Sequence, residues 1–227
     1  MMPLVILNPG HHIPEDPGAC GNNLREADLT LAICNLIAKY LPQYGIDSVT
    51  VHSNDLADIC TKANAHTDAA LFVSVHVNAG GGTGFETYIF PNSDKSENLC
   101  FYLHVELANF YRQLNFADRG KKMANFAVLR GTDMPAILTE NLFIDNQNDA
   151  LKLKDPAFLD GIAKAHVKGI ARALGCAYKG EAEAVVPDWA KDAIMWAVAR
   201  GIIVDQVGDE TFYRLITALY RYDQQKG

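Results

Sequence analysis

The chain lacks any run of 18 or more apolar residues, so nothing in it reads as a membrane-spanning helix, and no membrane insertion is expected. Clustered positive charge is also missing. The formal net charge is -7 and the longest basic stretch is Arg-Gly-Lys-Lys at 119–122. A nucleic-acid binder needs a basic face to neutralise phosphates, so that partner class is set aside and the tetrapeptide is read as a solvated turn. Cysteines number only five, Cys20, Cys34, Cys60, Cys100 and Cys176, scattered and never spaced as C-x-x-C. That pattern argues against a disulfide framework or a structural zinc knot and fits reduced thiols in a reducing cytosol. The opening MMPLVIL has no basic n-region and meets Asn-Pro-Gly before a signal-peptide core forms, so cytoplasmic synthesis without a signal peptide is expected. Nucleotide loops are absent as well. NAGGGTG at 78–84 lacks the Lys-Ser/Thr of a P-loop and the order of a dinucleotide fingerprint, and reads as a flexible wall beside a site.

What is present suits one main core with a small extra module: 227 residues, 49% of them hydrophobic. Short β-branched or apolar runs at 3–7, 48–53, 70–77, 86–90, 126–130 and 136–140 read as strands, several apolar on both faces. Helical periodicity fills 23–43, 56–67, 96–114 and 156–174, the last stopped by Gly175. The expected fold is a three-layer α/β/α domain over residues 1–175 with a mostly parallel or mixed sheet of about six strands. Residues 176–186 read as a linker. Residues 187–227 read as a small α-helical hairpin, with Asp188 as N-cap and Gly201 as a stop. A module of roughly 40 residues buries little core alone, so it is expected to dock or to self-associate as a homodimer.

In such a fold, sites gather where strands end. His11, His76 and Glu140 each end a strand run, and Glu26 opens the following helix. Read alone, each has an ordinary explanation. ILNPGHH (6–12) is either a polar turn or the entry of a metal ligand, supplied by His11 or His12. Glu26, or its neighbour Asp28, suits the first turn of any helix. His76 could be a hydrogen-bonded core histidine, and His52, His66, His104 and His166 read as surface or helix-face residues. Glu140 stands out, because a carboxylate closing the run Ala-Ile-Leu-Thr-Glu needs a partner or a function. Asn78 and Asn141 flank these positions and serve either a turn or a site. No H-E-x-x-H is present, so spacing alone signals a metal site weakly.

The ordered stretches NPGHHIPEDPGA, LREADL, LFVSVHVNA and ADRGKKMANFAVLRGTDMPAILTENLFIDN resemble the successive motifs of zinc-dependent N-acetylmuramoyl-L-alanine amidases of the amidase 3 family, over about residues 4–175. The resemblance implies Zn2+ held by His11, Glu26 and His76, with Glu140 as catalytic base, acting on bacterial peptidoglycan as an endolysin or autolysin. Three departures bear on substrate preference: Asn8 stands where the family usually has Asp, His12 where glycine often follows the first ligand, and DLADICTKAN lacks an arginine common at the start of the second helix. VPDWAKDAIMWAVARGI is similar to the opening of surface-layer-homology wall-binding modules, in a single copy whose second half matches poorly. Competing readings are a zinc carboxypeptidase acting on wall peptides and a non-catalytic wall-binding protein.

Overall fold

The computed structural model describes residues 2–178, 188–200, 202 and 210–225. They fall into two compact units, Met1–Tyr178 and Lys179–Gly227. The first unit runs β1 (Leu4–Pro9), β2 (Cys20–Gly21), β3 (Leu24–Arg25), α1 (Glu26–Tyr40), a 3-10 turn (Leu41–Tyr44), β4 (Asp47–Thr50), α2 (Leu56–Asn64), β5 (Ala69–Asn78), β6 (Phe85–Ile89), α3 (Asp94–Gln113), β7 (Asp118–Met123), α4 (Ala127–Gly131), β8 (Ala136–Phe143), α5 (Gln147–Leu153) and α6 (Pro156–Ala173). Six strands form one mixed sheet in the order β4-β1-β5-β8-β6-β7. Pairings are parallel except β6 with β8. β2 and β3 make a separate two-residue hairpin that delivers the chain into α1.

The central strands are apolar on both faces because both are covered. Val5, Leu7, Val73, Val75 and Ile137 pack with the α1, α3 and α6 side, whereas Ile6, Phe72, Ala136 and Leu138 pack with Ile59 of α2 and Val128 of α4. The two covers are unequal. α1, α3 and α6 are 15, 20 and 18 residues long, but α2 and α4 only nine and five. The short pair leaves the carboxyl ends of β1, β5 and β8 open on its face, where Asn8, His76 and Glu140 line a cleft.

Two expected elements exchange character. Residues 126–130 are not a strand: Ala127–Gly131 is the helix α4, with Val128 and Leu129 buried against α2. A short apolar run carries no period long enough to separate the two states. The sixth strand is instead Asp118–Met123, containing the Arg-Gly-Lys-Lys expected to be a turn. It is an edge strand, which tolerates polar residues, and its Arg119 and Lys122 pair with the buried Glu86. The short α5 is also new to the sequence reading. Its signal is Asn146, whose side chain accepts from the backbone amides of Asn148 and Asp149.

His104 and His166 lie on α3 and α6, as the helix-face alternative expected, but both faces are buried rather than at the surface. His166 is fully enclosed: its Nδ1 donates to Ile162 O at 2.9 Å and its Nε2 lies 3.0 Å from the Thr139 hydroxyl. Burial pushes its pKa down to about 4. Between pH 6.5 and 4 the unfolded chain therefore binds a proton that the folded chain refuses, and stability falls as pH falls through that window. Urea titrations of the wild type and of His166→Gln should differ in this pH slope by a total on the order of 3 kcal/mol. Equal slopes would rule the assignment out.

The second unit has a 3-10 turn (Asp188–Ala190), α7 (Lys191–Ala199) and α8 (Glu210–Gln224). Ala193, Ile194, Ala197, Tyr213 and Ile216 form its core, and Trp196 Nε1 donates to Asp223 at 2.9 Å. The expected linker lies outside the described residues from 179 onward, as do Gly201 and the side chain of Asp188. Among the described residues no helix is long and apolar enough to cross a membrane.

Candidate metal centre

β1 ends at Pro9, and the next two residues are shaped by what they must approach. A Cβ on Gly10 would sit 2.3 Å from the His76 ring, so only glycine lets β1 pass there. His11 adopts φ 64°, a left-handed conformation uncommon for a side chain of this size. A tight loop holds it: His12 and Asp16 exchange both backbone hydrogen bonds at 2.8 Å, and His52 Nε2 meets His11 O at 2.5 Å. The same loop carries Asp16 Oδ2 to 2.7 Å from His11 Nδ1.

Glu26 is the first residue of α1, yet it is buried. Its carboxylate accepts from the backbone amides of Ala19 at 2.9 Å and Val77 at 3.1 Å, with Oε2 3.2 Å from His11 Nε2 and Oε1 3.0 Å from His76 Nδ1. Burial alone would raise its pKa, but the bonds to His11 and His76 hold it well below the usual carboxylate range. In turn the Glu26 bond, outweighing desolvation and aided by Asp16, lifts His11 to about 9. His76 is oriented from behind. Its Nε2 donates to Ser74 Oγ at 3.2 Å, Ser74 donates to Asn8 Oδ1 at 2.8 Å, and Asn8 Nδ2 donates to Val51 O at 3.0 Å. Asn8, the departure from the usual Asp, thus serves as a neutral acceptor at the end of this chain.

The ligand-capable atoms of His11, Glu26 and His76 lie within 4.8 Å of one another. Two imidazoles and a carboxylate are a donor set suited to a divalent metal. Asp16 and Ser74 each bind the ring nitrogen that faces away from the cluster, which fixes both tautomers. His12 does not join; its ring packs on His52 with centroids 4.5 Å apart.

Glu140 sits in β8 directly between His76 of β5 and Glu86 of β6 in register. Its Oε2 is buried without a hydrogen-bond partner. Burial, with Glu26 and Glu86 adding repulsion, pushes its pKa up to about 8. Such an orphaned carboxyl oxygen beside a metal-competent trio is a costly arrangement for structure alone and a useful one for proton transfer. The cleft lined by His11, His76 and Glu140 encloses about 390 Å³ and extends over Leu56, Phe126 and Leu138. Of the flanking asparagines, Asn141 donates to His76 O at 3.0 Å and accepts from Tyr111, whereas Asn78 donates to Glu86 at 2.7 Å. The sequence reading brought together the four central residues but not Asp16, Ser74 or Glu86. Asp16 offered a signal, an acidic residue in the turn Pro-Glu-Asp-Pro five positions after His11.

Residues 5–172 match the family described as N-acetylmuramoyl-L-alanine amidase, Amidase_3. The chain is similar to the N-acetylmuramoyl-L-alanine amidase CwlM of Bacillus licheniformis, 43% identical over 178 residues that cover 75% of this chain and 68% of the relative. It is also similar to the endolysin of Bacillus phage SPP1, 40% identical over 183 residues, 77% of this chain and 67% of the other. Among solved structures, the catalytic domain of CwlV, an amidase from Bacillus (Paenibacillus) polymyxa var. colistinus, superposes with a TM-score of 0.71 at 28% identity, covering 78% of this chain and 100% of that domain. With the fold, the His-Glu-His cluster and a match over most of its length, the chain belongs to the Amidase_3 family of N-acetylmuramoyl-L-alanine amidases.

Proposed function

We propose that this amidase works with zinc held by His11, Glu26 and His76 and with Glu140 as its proton-transfer group. The reaction is that of the family: hydrolysis of the amide between N-acetylmuramic acid and L-alanine in the peptidoglycan of the bacterial cell wall. The observation that carries the residue assignment is the meeting of three ligand-type side chains from the loop after β1, from α1 and from β5 within 4.8 Å, next to the unpartnered oxygen of Glu140. When bound, zinc supplies Lewis-acid activation of water and of the amide carbonyl. Asp16 and Ser74 accept hydrogen bonds from His11 Nδ1 and His76 Nε2, which would leave His11 Nε2 and His76 Nδ1 to hold the metal. Glu140 takes a proton from the attacking water and delivers it to the leaving L-alanine nitrogen, so the products are a muramic acid carboxyl and a stem peptide with a free amine. Burial and the neighbouring carboxylates Glu26 and Glu86 raise the Glu140 pKa out of the ordinary carboxylate range, and a pKa shifted toward neutrality favours a group that both takes up and returns a proton.

The test is digestion of purified peptidoglycan with and without a chelator, with mass spectrometry of the soluble products. Intact stem peptides bearing a free L-alanine amine, lost on chelation and restored best by zinc, are expected. Release of single amino acids would identify a carboxypeptidase, and chelator-resistant cleavage would remove the metal from the mechanism.

A further inference from the structure

Glu86 lies on the same face of the sheet as Glu140, one strand away and directly opposite it in register. It is buried, at 3% exposure, and all its acceptor capacity is committed. Asn78 Nδ2 at 2.7 Å and the Tyr88 hydroxyl at 2.9 Å bind Oε1, while Arg119 Nε at 2.9 Å and Lys122 Nζ bind Oε2. One carboxylate therefore faces two cations, a local surplus of positive charge in a chain of net charge -7. The surplus is not spent on Glu140, whose Oε2 has no partner.

Arg119 is the cation with reach to spare. Only its Nε engages Glu86, its guanidinium lies over the Phe143 ring at 4.9 Å, and its side chain is 37% exposed. Its terminal nitrogens meet no acceptor among the described residues, although they form the planar fork that binds a carboxylate through two parallel hydrogen bonds. A surface arginine normally loses much side-chain freedom when it binds. Here Glu86 and Phe143 have already removed that freedom.

We infer that Arg119, held by Glu86, is a specificity residue that binds a free carboxylate of the stem peptide. Adjacent strands lie about 5 Å apart, so a guanidinium tied to Glu86 stands one to two strand spacings from Glu140. One residue of an extended peptide spans a little over 3 Å. The acidic residue that follows L-alanine in the stem thus has its carboxylate at a suitable distance when the scissile amide sits beside Glu140. In many walls that carboxylate is free and in others it is an amide, so the arginine would distinguish the two. This inference rests on the amidase reading and extends it to the surface on the β6–β7 side of Glu140.

The experiment compares two synthetic substrates, N-acetylmuramoyl tripeptides identical except for a carboxylate or a carboxamide on the second residue. A charge-assisted pair that the amide cannot make should give the wild type a preference of about tenfold in kcat/KM for the carboxylate form, expressed mainly in KM. In Arg119→Gln the ratio should collapse to about one, and in Arg119→Lys, which keeps charge without the fork, it should lie between. Reading the ratio within each protein makes the result independent of any general loss of activity or fold. A wild type without preference, or an Arg119→Gln that keeps the preference, would overturn the inference while leaving the amidase assignment intact. Cleavage of neither substrate by the wild type would overturn both.

Discussion

Glu140→Gln should lower turnover by roughly 10²–10⁴-fold, the usual contribution of a positioned acid or base, while zinc content and fold stay those of the wild type. Glutamine has the shape of the carboxyl but cannot carry the proton from water to amine. Three observations make the separation clean. Glu140 is not one of the three clustered ligand residues, so its loss leaves the metal-competent set whole. It lies on the middle of β8, between strands, so its backbone position is fixed by the ladder rather than by its side chain. Its Oε2 makes no hydrogen bond that the substitution would break. Metal analysis, circular dichroism and product release on peptidoglycan check the three parts together. Retention of more than about a tenth of wild-type activity would move the proton-transfer role elsewhere. Asp16 is the next carboxylate along the cleft, and it is committed to His11.

The same geometry explains how much could be read from the chain before its fold was known. β1, β5 and β8 were legible because parallel strands covered on both sides must be nearly continuous apolar runs, with His11 just past the end of β1, His76 near the end of β5 and Glu140 beside it on β8, in the region where such sheets place their sites. Glu26 was legible only through the motif around it, since an acidic residue in the first turn of a helix has an ordinary electrostatic reason to be there. β7 was misread because its polarity is that of an edge strand whose cations answer a buried carboxylate on β6, a pairing with a separation of 33 and 36 residues that no local pattern announces. α4 was misread for the opposite reason: Phe-Ala-Val-Leu-Arg is apolar enough for a strand, and only the packing of Val128 and Leu129 against α2 decides it. His166 and His104 show the same limit. A histidine's burial depends on whether a partner such as Thr139 or Thr87 waits on the facing strand, and that is a property of the fold.

Glu26→Ala should abolish both metal retention and activity, and unlike Glu140→Gln it should also weaken the fold. The Glu26 carboxylate touches both clustered histidines and two backbone amides, Ala19 and Val77. Removing it deprives the metal of its only anionic ligand in the trio and strands buried donors, each at a cost of about 1–3 kcal/mol. The two losses can be told apart by linkage. A ligand that binds only the folded state stabilises it by an amount that grows with concentration, about 4 kcal/mol at a thousand times Kd. Zinc added to chelator-stripped protein should therefore raise the unfolding midpoint of the wild type and of Glu140→Gln by similar amounts, because both keep His11, Glu26 and His76. It should leave Glu26→Ala where it started. If zinc raised the midpoint of Glu26→Ala as much as that of the wild type, the metal would have to be held by other residues, and the assignment of this cluster as the catalytic centre would fall with it.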